Sequence, residues 1–149
     1  MKRSRLRSVS RKRELQNIEY REVRDGWFRT LQETERWRCW WCGDWRRYAQ
    51  DLHVEHMHHG QAKSNKARCE VCTFILVDPG CHREITGDGG VLPALLAIKK
   101  TVDPECYDRS KVLSLYWMAD TAVTEEEVDE VELPGWIGKV NEEVKALWD

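Results

Sequence analysis

Residues 75–86 read ILVDPGCHREIT, in which a cysteine and a histidine stand side by side and an aspartate stands three residues before the cysteine. The stretch begins within the apolar run TFILV at 73–77, which predicts a short buried strand. The Asp-Pro-Gly of residues 78–80 is typical of a turn. Residues 81–86 predict a helix that stops at the glycine-rich residues 87–90. Three interpretations follow: half of a metal site, the start of a catalytic helix, or a loop with a stray thiol.

Upstream of this stretch lies the strongest single metal signal, the CWWCG of residues 39–43. Two thiolates at C-x-x-C spacing, on a turn that ends in glycine, reach one zinc ion with tetrahedral geometry. Nearby tryptophans either stack on bases or cover a small zinc core, and the second role is favoured because a small fold needs large side chains to bury area. These are Trp40, Trp41 and Trp45.

The cysteine spacing leaves the remaining zinc ligands open. Six cysteines in a chain of intracellular character favour metal ligation over disulfides. A second C-x-x-C pair, Cys69/Cys72, would complete a four-cysteine site. Cys81 with Asp78 would instead give three thiolates and a carboxylate, and a third option combines Cys81 with Cys69 or Cys72.

Residues 51–61 hold an acid among four of the five histidines of the chain. The segment predicts a short strand, on which successive side chains point to opposite faces. Glu55 and His56 therefore face different ways, so one can bind a metal ion while the other acts on a substrate. Histidine is suited to taking a proton near neutral pH. The candidates are His53, Glu55, His56, His58 and His59.

Taken in order, CWWCG (39–43), LHVEH (52–56) and ILVDPGCHREIT (75–86) resemble the HNH endonuclease family. The resemblance covers residues 38–90, and the LPALLAIKKTVDPECYD of residues 92–108 is similar to the segment that follows the motif in some phage and bacterial members. It implies an α+β fold with a small ββα-metal core, stabilised by zinc and flanked by N- and C-terminal helices.

The same resemblance implies a metal-dependent DNA endonuclease that hydrolyses phosphodiester bonds. His56 would be the general base, and Glu55 and His82 would hold a catalytic divalent ion such as Mg²⁺, Mn²⁺, Ni²⁺ or Zn²⁺. The structural Zn²⁺ would be held by Cys39, Cys42, Cys81 and Asp78, with Cys72 or Cys69 as the alternative fourth ligand.

The chain departs from the family pattern at three positions. Asp78 replaces a cysteine of the last zinc pair, although a carboxylate can also ligate zinc. Thr73 stands where the family usually has an asparagine that holds the hairpin loop. Thr86 stands where some members have a third metal ligand, so we expect that ligand to be absent. These departures support an alternative function, a catalytically impaired zinc-stabilised DNA-binding or adaptor module.

Charge is distributed unevenly along the chain. Residues 1–50 carry 14 Lys/Arg against 7 Asp/Glu, whereas residues 120–149 carry 2 against 10. A basic front suggests a polyanion as partner, here DNA. The acidic C-terminal region is a second candidate surface, one for binding a protein partner. The residues expected to contact the phosphate backbone are Arg46, Arg47, Lys63, Lys66, Arg68 and Arg83.

Along the chain we expect a basic flexible arm (1–13), an N-terminal helical segment (14–37), the HNH core (38–90), a helical extension (91–118) and an acidic linker with a C-terminal amphipathic helix (119–149). There is no apolar run long enough for a membrane span and no secretory signal pattern. We therefore expect a cytoplasmic protein of a bacterial or phage-infected host cell, encoded by a phage or mobile element.

Overall fold

The computed structural model describes residues 10–44, 52–56, 63, 65–86, 91–116 and 123–138. This part combines α-helices with one two-stranded antiparallel sheet, as the predicted α+β class requires. The strands are β1 (His53–His56) and β2 (Phe74–Val77), and the helices are α1 (Arg11–Leu31), α2 (Pro79–Thr86), α3 (Leu92–Val102), α4 (Arg109–Leu115) and α5 (Glu125–Asp129). Within the described ranges, no helix is long and apolar enough to cross a bilayer.

The hairpin formed by β1 and β2 has a defined register. His53 lies opposite Val77 and His56 lies opposite Phe74. All four residues of β2 are completely buried, which explains the continuous apolar run in the sequence. β1 is half-buried except at Glu55, which is 2% exposed. The acid of β1 therefore points into the protein.

A single capped turn leads from β2 into α2. The side chain of Asp78 accepts a hydrogen bond from the amide of Cys81 at 2.8 Å, as an N-cap residue does, and Pro79 occupies the first helical position. The predicted strand and helix are confirmed as Phe74–Val77 and Pro79–Thr86, whereas Pro79 and Gly80, predicted as turn residues, belong to the helix. The helix begins at Pro79, two residues earlier than predicted, because proline has the backbone angle that a first helical turn needs.

The N-terminal helix is shifted toward the N-terminus relative to the prediction of 14–37. α1 begins at Arg11 because the Ser10 side chain accepts from the amide of Arg13 and caps the helix. It ends at Leu31, and Glu33 adopts a positive φ of 66° that an α-helix cannot continue through. The predicted flexible arm therefore ends before residue 11, and its residues 1–9 lie outside the described residues.

The core joins α1, β2 and α3 through aromatic rings and one buried ion pair. Trp27 packs edge-to-face against both Trp40 and Phe74, with ring centroids 5.5 Å apart in each case. The ammonium of Lys99 is fully buried, donating to the Phe74 carbonyl at 2.9 Å and to the Asp103 carboxylate at 2.7 Å. The indole N–H of Trp27 donates to the same carboxylate at 2.9 Å. These bonds fix α3 and α1 against β2.

The described residues after α3 add Val112, Val123, Val128 and Ile137 to this core. The two helices expected in residues 91–118 are present as α3 and α4, and the acidic stretch contains α5, with Val128 buried. Of the predicted C-terminal amphipathic helix, residues 135–138 are helical, and the remainder lies outside the described residues.

Candidate metal centre and active site

Four predicted zinc ligands come together at the end of β2. The thiols of Cys39, Cys42 and Cys81 and a carboxylate oxygen of Asp78 all lie within 4.8 Å of one another. A tetrahedral ion with bonds of about 2.0–2.3 Å separates its ligand atoms by about 3.3–3.8 Å, so the four atoms need to close in only slightly to hold one ion. All six cysteines are in the described part of the chain, and none is in a disulfide. The four residues form a candidate site for a structural metal such as zinc.

The turn that carries Cys39 and Cys42 is fixed by its backbone. The amide of Trp40 donates to the carbonyl of Leu76 in β2 at 2.8 Å, and the amide of Gly43 donates to the carbonyl of Cys39 at 2.8 Å. Trp40 itself is fully buried, which agrees with tryptophans covering a small core. Trp45 lies outside the described residues.

Gly43 is required for two reasons. Its φ of 79° lies in the left-handed region, and a Cβ there would lie 2.6 Å from the Trp136 ring. Trp136 closes over the turn by donating its indole N–H to the Trp40 carbonyl at 3.1 Å, and the Arg38 guanidinium lies 5.0 Å from its ring centroid. The C-terminal segment thus supports the metal centre, a contact that no local sequence signal predicts.

Asp78 serves both the cluster and α2. One of its carboxylate oxygens caps α2, and the other lies 3.2 Å from the Cys42 thiol. Burial raises the pKa of Asp78, but hydrogen bonds from the Cys81 amide and from Cys42 outweigh it, so the pKa lies below its ordinary value. Asp78 is therefore an anion at neutral pH, as a metal ligand must be.

The pKa values of two of the thiols are shifted upward, in the direction opposite to that of Asp78. Desolvation, with the neighbouring Asp78 and Cys39, raises the pKa of Cys42 to about 11. Desolvation and the nearby Cys39 also raise the pKa of Cys81. Crowding of these groups disfavours thiolates because their negative charges repel, and a bound cation would remove that repulsion.

The alternative ligands Cys69 and Cys72 lie outside this group of four. Cys69 ends a short 3-10 helix and Cys72 lies in the next one, before β2 begins. Cys72 is 4% exposed, and burial raises its pKa to about 11. Among the described residues the fourth position of the cluster is therefore occupied by Asp78.

A second group of ligand-type side chains lies where β1 meets α2. The imidazole Nε2 of His82 contacts the Glu55 carboxylate, bringing together two residues that are 27 positions apart. Glu55 is 2% exposed, whereas the His82 side chain is 35% exposed. Burial lowers the pKa of His82 and so favours the neutral imidazole, the form that ligates metals. A carboxylate oxygen suits Mg²⁺ and Mn²⁺ and an imidazole nitrogen suits Ni²⁺ and Zn²⁺, so the pair offers one donor for each kind of divalent ion.

His53 is a further member of this group, and the sequence predicts no individual role for it. Its Nε2 lies 2.7 Å from Nδ1 of His82, and the two rings meet edge-to-face. Burial and the proximity of His82 lower the pKa of His53. The signal was the spacing: His53 and Glu55 are two residues apart on a strand and hence share a face.

His56 lies on the other face of β1 and has different neighbours. Its ring packs against Tyr20 and Phe74, with centroids 5.9 and 5.5 Å away. Its Nε2 lies 3.1 Å from the carbonyl oxygen of Arg68. Because a carbonyl only accepts, Nε2 carries the proton, and the lone pair of the neutral ring is then on Nδ1.

Thr73 makes the kind of bond expected at its position. Its hydroxyl donates to the carbonyl of Glu70 at 2.8 Å, and its amide donates to the same oxygen at 3.0 Å. Thr73 is fully buried, immediately before β2. The threonine thus stabilises the turn before β2, with fewer bonds than an asparagine can make. The side chain of Thr86 lies outside what the structure describes.

The predicted basic residues are only partly described. Arg46 and Arg47, and the side chain of Lys66, lie outside the described residues, while Lys63 and Arg83 are exposed. Arg68 lines a cavity of about 310 Å³ together with Lys12 and Arg13 of α1. Its guanidinium donates to the Asn17 side chain at 3.2 Å and lies 4.6 Å from the Tyr20 ring centroid.

Comparisons of the chain with protein-family models, with characterised proteins and with solved structures give no significant match.

Proposed function

We propose that the protein is a metal-dependent DNA endonuclease of the HNH type, which hydrolyses phosphodiester bonds. The observation that carries this proposal is the convergence of Glu55 from β1 and His82 from α2 beside the Cys/Asp cluster. A strand, a second strand and a helix bring these residues together in the order that the motif requires. The cluster would hold the structural Zn²⁺ and thereby fix the start of α2.

Glu55 and His82 would hold the catalytic divalent ion in this proposal. When bound, such an ion stabilises the phosphate charge and the leaving oxygen. Glu55 supplies the negative charge from a position that is 2% exposed. His82 is anchored one residue after Cys81, so the structural site and the catalytic site share one helical turn.

His56 is the proposed general base. The carbonyl of Arg68 holds the Nε2 proton and fixes the ring, so the Nδ1 lone pair takes the proton from water during attack on the phosphate. The contacts with Tyr20 and Phe74 restrict the ring further. A base with a fixed tautomer needs no rearrangement before the reaction.

DNA is the proposed substrate, and its backbone phosphates are the proposed contacts of the basic residues. Lys12, Arg13 and Arg68 line one cavity in which the other described lining residues, Ser10 and Gln16, are uncharged, and the Arg68 backbone contacts His56. Phosphates held by Lys12, Arg13 and Arg68 would therefore lie near the proposed base. Such binding would weaken as the salt concentration rises.

The second candidate, a DNA-binding or adaptor module that has lost catalysis, is supported by one observation. The Thr73 hydroxyl donates to the carbonyl of Glu70 in the turn before β2, where an asparagine offers more donors and acceptors. A looser turn would position the strands less accurately and so slow the reaction, while leaving the zinc site and the basic surface intact.

Plasmid cleavage at low salt with Mg²⁺, Mn²⁺ or Ni²⁺ tests the proposal. Wild type should nick or cut the plasmid, and both His56→Ala and His56→Phe should lose at least about 100-fold in rate, the usual contribution of a general base. His56→Phe keeps an aromatic ring against Tyr20 and Phe74, so it separates loss of the base from loss of packing. Cleavage by either variant at the wild-type rate would exclude His56 as the base.

Zinc content, thermal melting and a salt-dependent gel shift are the controls on the same proteins. Wild-type protein that is folded, zinc-loaded and DNA-binding but cleaves with none of the metals would favour the binding module. Wild-type protein that also fails to bind DNA would contradict both candidates.

A further inference from the structure

The His82 ring lies between two partners. Its Nε2 faces the Glu55 carboxylate, and its Nδ1 lies 2.7 Å from Nε2 of His53. The His53 and His82 rings meet at 77° with centroids 4.6 Å apart, which brings the edge of one ring to the face of the other. The register of the hairpin fixes His53 opposite Val77, one residue before the turn into α2.

The chemistry of imidazole limits what this arrangement can do. A neutral imidazole carries one ring proton, and the nitrogen that ligates a metal must be the other one. If Nε2 of His82 ligates an ion together with Glu55, the proton is on Nδ1. That N–H then points at Nε2 of His53, which must act as the acceptor and leave its own proton on Nδ1.

We propose that His53 is a positioning residue for the catalytic divalent ion. His53 accepts the Nδ1–H of His82 and thereby holds the Nε2 lone pair of His82 toward Glu55. The inference rests on the proposed function. Histidine ligands usually donate their second N–H to a carboxylate, a carbonyl or water. Here the acceptor is a neutral imidazole, so the ring is oriented without a second negative charge, and Glu55 alone supplies the anionic ligand.

Two substitutions of His53 separate hydrogen bonding from packing. His53→Gln places an amide oxygen near the position of Nε2 and retains an acceptor, whereas His53→Phe retains a ring without one. Zinc content and thermal melting confirm that each variant is folded. Mn²⁺ titration by calorimetry on zinc-loaded protein then measures ion binding without any cleavage assay.

His53→Phe should lose about 10–100-fold in Mn²⁺ affinity, as other residues that orient a metal ligand do when they are replaced. The affinity of His53→Gln should stay within about threefold of wild type. Imidazole ¹⁵N shifts with Mg²⁺ present should show His82 as the single Nδ1–H tautomer in wild type and His53→Gln, and as a mixture in His53→Phe. A purely structural role for His53 would not move the tautomer.

A third variant, His82→Ala, separates the two claims. If it abolishes Mn²⁺ binding while His53→Phe binds as wild type and keeps the tautomer, the role of His53 is overturned and the metal site stands. If His82→Ala binds Mn²⁺ as wild type does, the ion is held elsewhere, and both the proposed metal site and the inference fail.

Discussion

Cys39/Cys42 and Cys69/Cys72 have the same C-x-x-C spacing, but only the first pair belongs to the cluster of metal ligands. The difference lies in the end of β2 near which the possible partner ligands stand. The second pair precedes the strand, while Asp78 and Cys81 follow it. Four strand residues at about 3.3 Å each separate the two ends by about 13 Å, too far for one ion to span. The C-x-x-C spacing identifies Cys39 and Cys42, and the position after β2 identifies Asp78 and Cys81 as the other two ligands.

The largest expected effect is that of Cys39→Ser compared with Cys72→Ser. Cys39→Ser should remove stoichiometric zinc and the cooperative thermal transition, because structural zinc in small domains supplies about 10–16 kcal/mol of folding free energy. Cys72→Ser should keep its zinc and lose about 1–3 kcal/mol, because a hydroxyl is placed at a position that is 4% exposed. Metal analysis and melting curves measure both.

Equal zinc content in Cys39→Ser and wild type would place the zinc elsewhere. Loss of zinc in Cys72→Ser, with Cys39→Ser unaffected, would reverse the comparison between the two pairs.

The sequence predicts the parts of the site that local rules control. The strand within the apolar run at 73–77 and the helix after it are set by neighbouring residues and are present, while the Asp-Pro-Gly predicted as a turn forms the cap and first residues of that helix. The ligand set Cys39, Cys42, Cys81 and Asp78 was one of three that spacing allowed. Choosing among them required the placement of the Cys39/Cys42 turn beside Leu76, a long-range hydrogen bond that no periodicity reveals.

Other features depend on residues distant in sequence. No local pattern in the sequence marks Lys99 as buried, yet it is fully buried because Asp103, Trp27 and the Phe74 carbonyl surround its ammonium. Burial lowers the pKa of Lys99, with Asp103 opposing the shift. The contact of Trp136 with Gly43 joins residues 93 positions apart. Such pairs become visible only when the chain is folded.

The next effect is the pH dependence of zinc binding. In metal-free protein the pKa of Cys42 is raised to about 11 and that of Cys81 is also raised, so both thiols hold protons throughout the neutral range. Zinc must displace these protons, and the affinity should fall by about tenfold per pH unit for each protonated thiol ligand, hence by at least about 100-fold per unit for Cys42 and Cys81 together. Asp78, with its lowered pKa, is already ionised and adds nothing to this slope.

Competition with a chromophoric chelator between about pH 6 and about pH 8 measures the slope. The Cys69→Ser/Cys72→Ser double variant is the matched control and should give the wild-type slope. A smaller pH dependence of zinc affinity in this control would show that Cys69 or Cys72 also ligates the zinc. An affinity independent of pH would contradict protonated thiols in the metal-free cluster.

A smaller effect separates the two roles of Asp78. Asp78→Asn retains an oxygen that can cap α2 but loses the anionic ligand, so zinc affinity should fall by about 100-fold with little change in metal-free stability. Asp78→Cys should bind zinc at least as tightly as wild type and lose about 1 kcal/mol of metal-free stability with the cap. Chelator competition and denaturant unfolding measure the two quantities. Unchanged affinity in Asp78→Asn would show that Asp78 is only a cap.

The smallest effect distinguishes the two members of the Cys69/Cys72 pair in the native protein. Burial raises the pKa of both thiols, to about 11 for Cys72, and Cys69 is half-buried whereas Cys72 is 4% exposed. Because alkylation needs an accessible thiolate, Cys69 should react with iodoacetamide more than about tenfold faster than Cys72. Mass spectrometry of peptides from zinc-loaded protein gives both rates. Equal rates would mean that the segment before β2 opens readily, and the separation of the two pairs by a rigid strand would then no longer explain why only one of them joins the cluster.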